Sequence, residues 1–558
     1  MSSRLRAALF ATLIALISLW PARPPWAALI GDPLGETDNH LWMFWRAARQ
    51  LGGHPGPFAN APVGVDIPLM DPINLPLFVL GWPFGPVIAW NGMILASVGL
   101  SMLGGYALAR QFVDTEPALV AIAVAGSAPF LLGVIDFGIT ESWTIGWFGL
   151  HAALMIQYAR TGDKRSAVGA GVTLGAIALS GWYHALLGLI MEAMLVPALL
   201  YRHRRVGTIL QGLIGLTMIT PSLLTFLEIR DRWRPRFLRP APGPPEPRPD
   251  WAELPIYGTD LLNYIAPYPG SVHPSKSVYL GIIALALAGW GGLRRPRLAG
   301  PLVLMMVPFT LLGLGWWPTI AGTAIGVPGP AWWLATHIEA LQGLSHWHRA
   351  IGGAIPFFAA AAAVGASALP KGRGVAMMLG VLIAVESAWL SQTMWPRTAY
   401  VPQAPEAITA LPEGAGVIQI PFDNSREIFS QKPARLYQQW QVIHQRQISE
   451  NYEGIDALLA QSALVAAIHS KCRNATQLPP YYQPPPEMRN PEPPTEPQAV
   501  REAVATLQGW GFGWIVLHLE RCGSPFHPIV YLNEILGPGQ QMANGDRVWR
   551  LDAEKQAP

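Results

Sequence analysis

The chain has 558 residues, of which 51% are apolar and only 13% charged, with 23 Trp, 56 Gly and 54 Pro. Ordinary soluble domains carry about 25% charged residues, and mean hydropathy here is positive at +0.28. These values exclude a disordered chain, a nucleic-acid binder and a water-soluble enzyme of ordinary type, while the net charge of +3 says little about partners.

A helix needs about 20 mostly apolar residues to cross the hydrocarbon core. Measured this way, the sequence predicts eleven spans, near 7–22, 86–109, 117–135, 142–159, 166–180, 182–201, 207–226, 277–292, 298–316, 351–368 and 375–393. Every second connection is basic: Arg4 and Arg6; Arg110; Arg160, Lys164 and Arg165; Arg202, Arg204 and Arg205; Arg294, Arg295 and Arg297; Lys371 and Arg373. Short basic loops stay in the cytoplasm. The N-terminus is then cytoplasmic, and an odd span count puts the C-terminus outside. Arg4, Arg6, the apolar run and Ala27-Ala28 also fit a secretory signal peptide, whose removal leaves the rest of the topology unchanged. Residues 73–84 are apolar but short and Pro-broken, and read as a re-entrant or interfacial piece.

The predicted fold is an all-α polytopic membrane bundle over 1–393, with outer loops at 23–85 and 227–276. A small extracytoplasmic α/β domain follows over 394–558. The first outer loop carries Asp32, Glu36, Asp38 and His40, just before an aromatic-rich amphipathic stretch in which Trp42, Phe44 and Trp45 suit a membrane interface. Such a cluster can hold a general base and, at Asp32 and Asp38, a divalent cation such as Mg or Mn. Asp38 equally fits a plain helix cap.

Asp136, Glu141, Trp182, Tyr183 and His184 fall near outer span ends, where they can converge on one cavity. His151 reads as a satisfied core residue, and Glu192 and Glu386 as buried structural partners. The second outer loop opens with Arg230, Arg232, Arg234, Arg236 and Arg239. Arginines outside run against the positive-inside trend, and their forked donors suit phosphate. Contact with ordinary anionic headgroups explains them as well. His346, His348 and Arg349 enter the tenth span from outside, where Arg349 can meet a phosphate or reach to the interface.

In the tail, 416–421 and 512–519 read as buried strands, 455–469 and 499–508 as helices, and 546–551 as a final strand. The Pro-rich 479–497 reads as a surface loop. Cys472 and Cys522 both lie in this tail; an outer location permits a disulfide between them, and two free core thiols are the other reading. Two cysteines alone cannot build a structural zinc site. No P-loop, strand-linked G-x-G-x-x-G, H-E-x-x-H or G-x-S-x-G is present.

One basic-flanked span followed by an acidic outer loop and an amphipathic helix resembles the GT-C superfamily of membrane glycosyltransferases. The chain also resembles large bacterial multispan proteins related to the GT-C and YfhO-type groups. Carrying segments are Asp71-Pro72-Ile73-Asn74-Leu75, Gly85–Asn91, Tyr106–Arg110, Gly138–Glu141, Ser180–His184 and, in the tail, Ile418–Phe422, Tyr437–Gln439 and Ile443–Gln445. The resemblance implies an inverting transferase of the bacterial inner membrane, with a periplasmic tail. Its donor would be a polyprenyl-phosphate sugar, and its acceptor an envelope glycan, lipid or protein. Asp38 would be the base, with Asp32 or Glu36 as second acid. Arg349, His346, His348, Arg230, Arg232, Arg234, Arg236, Glu141 and His184 would hold substrate and lipid phosphate. The chain departs from the family pattern in lacking a paired Asp-Glu. The alternative is a non-enzymatic lipid or glycan carrier, or an envelope assembly factor, on the same scaffold.

Overall fold

Small residues let the central helices approach closely. Helix α1 spans Ser3–Leu19, and α2 spans Thr37–Leu51. The apolar helices α3 (Leu75–Gly81), α4 (Pro86–Ala109), α5 (Thr115–Gly126) and α6 (Pro129–Phe137) follow. Next come α7 (Gly146–Thr161), α8 (Lys164–Leu179) and α9 (Trp182–His203). The later helices are α10 (Ile282–Arg294), α11 (Pro296–Gly313), α12 (Pro330–His337), α13 (Ile351–Ala366) and α14 (Val375–Leu390). This computed structural model describes residues 2–53, 69–203, 220, 258–266, 278–412, 415–420, 440–448, 462–472 and 494–551. Within these ranges, positions 34, 70, 322, 339, 340, 342, 343, 345, 370–373, 391–394, 446, 447, 520, 521 and 523–525 are not described.

The chain divides into two units: Met1–Gly35 with Met70–Tyr400, and Glu36–Leu69 with Val401–Pro558. The sequence reading draws its domain boundary at 393/394. The break falls at 400/401, and the segment holding α2 clusters with the tail. The reason lies in α2's side chains: Trp42 donates its indole N–H to Gln441 at 2.6 Å, and Arg49 bonds the Gln445 carbonyl at 2.8 Å. The expectation that Trp42, Phe44 and Trp45 sit at a membrane interface is also not met, because all three are fully buried.

The first unit is helical. Among the described residues, five helical stretches are long and apolar enough to cross a membrane: Pro86–Ala109, Thr115–Phe137, Trp182–Leu200, Pro296–Gly313 and Trp347–Ala366. Shorter apolar helices lie at Pro72–Phe84, Ile282–Arg294 and Val375–Leu390. This is the make-up of a multi-pass membrane protein. The expected span 207–226 lies outside the described residues. The expected single span at 117–135 is two helices, because Pro129 begins a new helix after the bend at Ser127.

Helices α4 and α7 touch backbone to backbone. A Cβ on Gly104 would come within 2.1 Å of the Gly146 carbonyl, and one on Gly146 within 2.1 Å of the Leu100 carbonyl. The Ala- and Gly-rich α13 is buried along its length and packs against α4, α5, α10 and α11. Small residues at such crossings maximise dispersion contact where apolar lipid supplies no hydrophobic drive.

Charged groups inside this unit are paired, as burial demands. His151 bonds Glu192 through Nε2, while its Nδ1 lies 2.8 Å from the Ala170 carbonyl. Glu386 accepts from the Tyr279 hydroxyl and from the backbone N–H groups of Ile282 and Ile283, so a carboxylate covers the start of α10.

In the first unit, strands β1 (Leu29–Ile30) and β4 (Ala399–Tyr400, after α14) pair, as do β2 (Thr319–Ile320) and β3 (Thr323–Ala324). The second unit holds a four-stranded sheet in the order β5–β6–β8–β7, with β5 at Gly416–Ile420, β6 at Phe512–Leu517, β8 at Arg547–Arg550 and β7 at Gln540–Gln541. The β5–β6 pair is parallel and the other two are antiparallel. Helices α15 (Ala463–Cys472), α16 (Pro497–Gly509) and α17 (Phe526–Leu536) contribute Leu464, Ile468, Val504, Leu507 and Leu532 to the core against Ile418, Ile515 and Trp549. Cys472 and Cys522 are joined by a disulfide across 50 residues of sequence. His518, just after β6, lies with Nδ1 2.8 Å from Asp546 Oδ2. A carboxylate only accepts, so Nδ1 carries the proton. Burial works against the charged Asp546, but His518 and Asn544 outweigh it and hold the carboxyl below its usual range.

Two outcomes follow from this packing. Gly146→Ala forces α4 and α7 apart, and should cost about 1–3 kcal/mol, read as a lower Tm in detergent. Asp546 titrates below its unfolded value of about 3.9. Its stabilisation is therefore complete above that value and is lost as the pH falls through the folded value. Asp546→Asn should flatten the acid limb of the unfolding profile of the second unit.

Candidate functional site

Three of the first unit's buried acids, Asp71, Asp136 and Glu141, lie in or beside the turn from α6 to α7. Helix α6 ends at the left-handed Gly138, whose N–H bonds the Ile135 carbonyl while Ile139 N–H bonds Val134. This paired closure stops the helix and turns the chain. A short 3-10 helix, Thr140–Ser142, then carries Glu141 inward.

Glu141 pairs with Arg349, which is delivered by a 3-10 turn at Trp347–Ala350 on the approach to α13. Both side chains are less than one-tenth exposed. The Arg349 guanidinium also lies 5.2 Å from the centre of the Tyr183 ring, a cation–π contact. The Tyr183 hydroxyl accepts from His346 N–H at 2.8 Å, so one tyrosine holds both the arginine and the turn that carries it.

Gly181 makes this approach possible. Its φ is +146°, and a Cβ there would lie 3.1 Å from the Glu141 Cβ. His184 follows one turn into α9, only 1% exposed, with its ring 5.6 Å from Phe148. Among the described residues neither of its ring nitrogens has a hydrogen-bond partner. His348 is buried on the arginine's own turn, its ring perpendicular to His346 at 5.6 Å.

Two further acids join this segment. Asp71, fully buried, accepts from Asn74 at 2.9 Å, and the same amide lies 3.5 Å from the Thr140 carbonyl. Asp136 pairs with Arg397 at 2.8 Å, and Arg397 also bonds the Ser18 carbonyl at the end of α1. Asp136's own carbonyl accepts from the Asp32 N–H at 2.6 Å. Asn91 and Trp90 bolt the preceding loop in place by bonding Pro25, Ala28 and Ile30.

In the second unit, Asp38 sits in the first turn of α2 and is 3% exposed. It does not occupy the cap position of that helix, which is Glu36, whose side chain makes no capping hydrogen bond. Glu36 lies instead 3.4 Å from His40, one turn on.

The structure therefore brings Glu141, His184, His346, His348 and Arg349 together in the first unit, along with Tyr183. It places Asp32 beside Asp136, and Glu36 and Asp38 on α2. Arg230, Arg232, Arg234 and Arg236 lie outside the described residues. Among the described residues no three His, Cys, Asp or Glu side chains cluster as a metal site. Reasoning from sequence missed Asp71 and Arg397. Arg397 carried one signal: a basic residue just beyond the last span, on the side where basic residues are not expected.

No protein-family model and no curated protein matches the chain. Among solved structures it is similar to the oligosaccharyltransferase of Archaeoglobus fulgidus in the apo form. That match has TM-score 0.45 and 12% identity, over 92% of this chain and 69% of that one. It is also similar to ArnT from Cupriavidus metallidurans in the apo state, with TM-score 0.43 and 11% identity over 99% and 98% of the two chains. The same enzyme bound to undecaprenyl phosphate gives TM-score 0.43 and 12% identity over 99% of each. A likeness of this strength assigns neither a fold nor an activity.

Removing one partner of a buried ion pair leaves an uncompensated charge and costs about 3–5 kcal/mol. Arg349→Met alone should thus destabilise the protein strongly, and Glu141→Gln added to it should recover part of the loss. A double-mutant cycle of Tm values in detergent checks this.

Proposed function

We propose that the chain is a GT-C-like membrane glycosyltransferase. It moves a sugar from a polyprenyl-phosphate donor to an envelope glycan, lipid or protein acceptor at the outer face of the bacterial inner membrane. The carrying observation is Asp38: a carboxylate withdrawn from water at a helix start whose cap position it does not occupy. Burying an acid is costly, and a helix cap would not require it. A base at this position favours the enzyme over the carrier reading.

In this reading the Asp38 carboxylate takes the proton from an acceptor hydroxyl. The acceptor oxygen attacks the anomeric carbon as the bond from that carbon to the phosphate oxygen breaks. Lipid phosphate leaves with both electrons of that bond, and the sugar centre inverts. Separately, within the first unit, Arg349 is held by Glu141 and Tyr183 and is in this proposal a binding group for a phosphate. His184 adds an imidazole whose ring nitrogens have no hydrogen-bond partner among the described residues. Asp32 and Glu36 are second acids in this proposal, and a Mg or Mn ion at Asp32 or Asp38 belongs to it as well. So do the eleven-span topology, the cytoplasmic N-terminus and the periplasmic tail.

Asp38→Asn keeps size and shape but removes the base. Transfer from a polyprenyl-phosphate sugar by purified protein should fall by about 10²–10⁴-fold, the usual worth of a general base, with Tm unchanged. Full activity in that variant overturns the assignment and favours the carrier or assembly factor.

A further inference from the structure

We propose that residues 314–338 form an anchor seated in the interfacial layer of a lipid bilayer, independently of any transferase activity. This stretch contains no Asp, Glu, Lys or Arg. It folds as a hairpin, Thr319–Ile320 paired with Thr323–Ala324, followed by α12.

Its amphipathicity is inverted relative to a helix facing water. In α12 the buried positions are Ala331 and Ala335, four residues apart, while Trp333 is 55% exposed and Ile338 44%. The hairpin and its exit show the same pattern, with Ile320, Ile325 and Val327 exposed and Thr319 buried. Thr319 faces inward next to Asp260, which accepts from the Ala321 N–H at 3.0 Å. Leu314 and Trp316 are buried and Thr323, Thr336 and His337 exposed, but five large apolar side chains (Ile320, Ile325, Val327, Trp333 and Ile338) face outward, a share of exposed apolar surface that an apolar solvent favours.

The outward face is also aromatic. Trp317, Trp332, Trp333 and His337 form a ladder with successive ring centres at 6.3, 5.8 and 4.8 Å. Tryptophan favours the level of the headgroups, where its ring is half in lipid and its N–H is hydrated.

The occupant is identified by what the segment is joined to. Helix α11, Pro296–Gly313, is one of the five stretches suited to crossing a membrane. The chain does not run on from its end. Gly315 N–H turns back to the Leu312 carbonyl, and Gly329 N–H bonds Trp316, three residues beyond the helix. Helix α12 thus begins at the mouth of a span, and its eight residues extend about 12 Å from there. That position and a charge-free face specify lipid rather than a protein partner. The anchor ends eleven residues before Arg349, so its depth would bear on where that arginine is presented.

The test uses the full chain in nanodiscs. Its two cysteines are joined to each other, so a nitroxide can be placed at one new thiol. Val327→Cys and Trp333→Cys are compared with Gln541→Cys, which is exposed on β7. At 327 and 333, collisions with dissolved oxygen should outpace those with a water-soluble nickel chelate, and at 541 the order should reverse. Nickel access at 327 and 333 equal to that at 541 overturns the proposal. Exclusion of both reagents, with dipolar broadening between labels, also overturns it and identifies a second copy of the chain as the cover. None of these readouts depends on sugar transfer.

Discussion

Charge in a low-dielectric interior has to be answered by charge or by hydrogen bonds, and this requirement organises the first unit. The six residues from Asp136 to Glu141 carry two carboxylates, each met by an arginine from more than 200 positions later in the chain. A buried carboxylate without its guanidinium would cost several kcal/mol. The two pairs therefore specify where the approach to α13 and the strand after α14 must lie. Arg397 does this twice, because the same guanidinium bonds the buried Ser18 carbonyl near the end of α1.

The small-residue crossings supply the complementary constraint. Glycine and alanine let α4, α7 and α13 pack closely, and α13 is buried along its length. Close approach raises the strength of each electrostatic contact and the cost of leaving any group unmet. Tyr183 matters in this setting because it serves two functions with one side chain: its face accepts the cation and its hydroxyl accepts a backbone donor. His184 stands apart from this economy, buried with both nitrogens unused among the described residues.

Much of this was legible in the sequence where a signal is local. The apolar stretches, the strands at Gly416–Ile420 and Phe512–Leu517, and the pairing roles of His151, Glu192 and Glu386 all follow from periodicity or from the cost of buried charge. The sequence placed Asp136, Glu141, Trp182, Tyr183 and His184 near outer span ends, and the structure puts Glu141 and Tyr183 both on Arg349. What sequence could not supply was pairing at long range. Nothing local marks Arg397 as the partner of Asp136, or Asp71 as a neighbour of Thr140. The aromatic face of α2 misled for a related reason: tryptophans on an amphipathic helix look the same whether they face lipid or a distant part of the same chain. The break between α5 and α6 lies within a continuous apolar run, so a reading by length and hydropathy takes it as one span.

The bond from Trp42 to Gln441 joins positions 399 residues apart. Read as a duration, that separation is long. Ribosomes add about 5–20 residues per second, so helix α2 emerges roughly 20–80 s before its partner exists. During that interval its three large aromatic rings have no native cover from the tail. The parallel neighbour of β5 arrives late as well, and β8 only within the last dozen residues. The order of translation is therefore part of this protein's folding problem, because about 400 residues must be made after α2 before Trp42 can meet its partner.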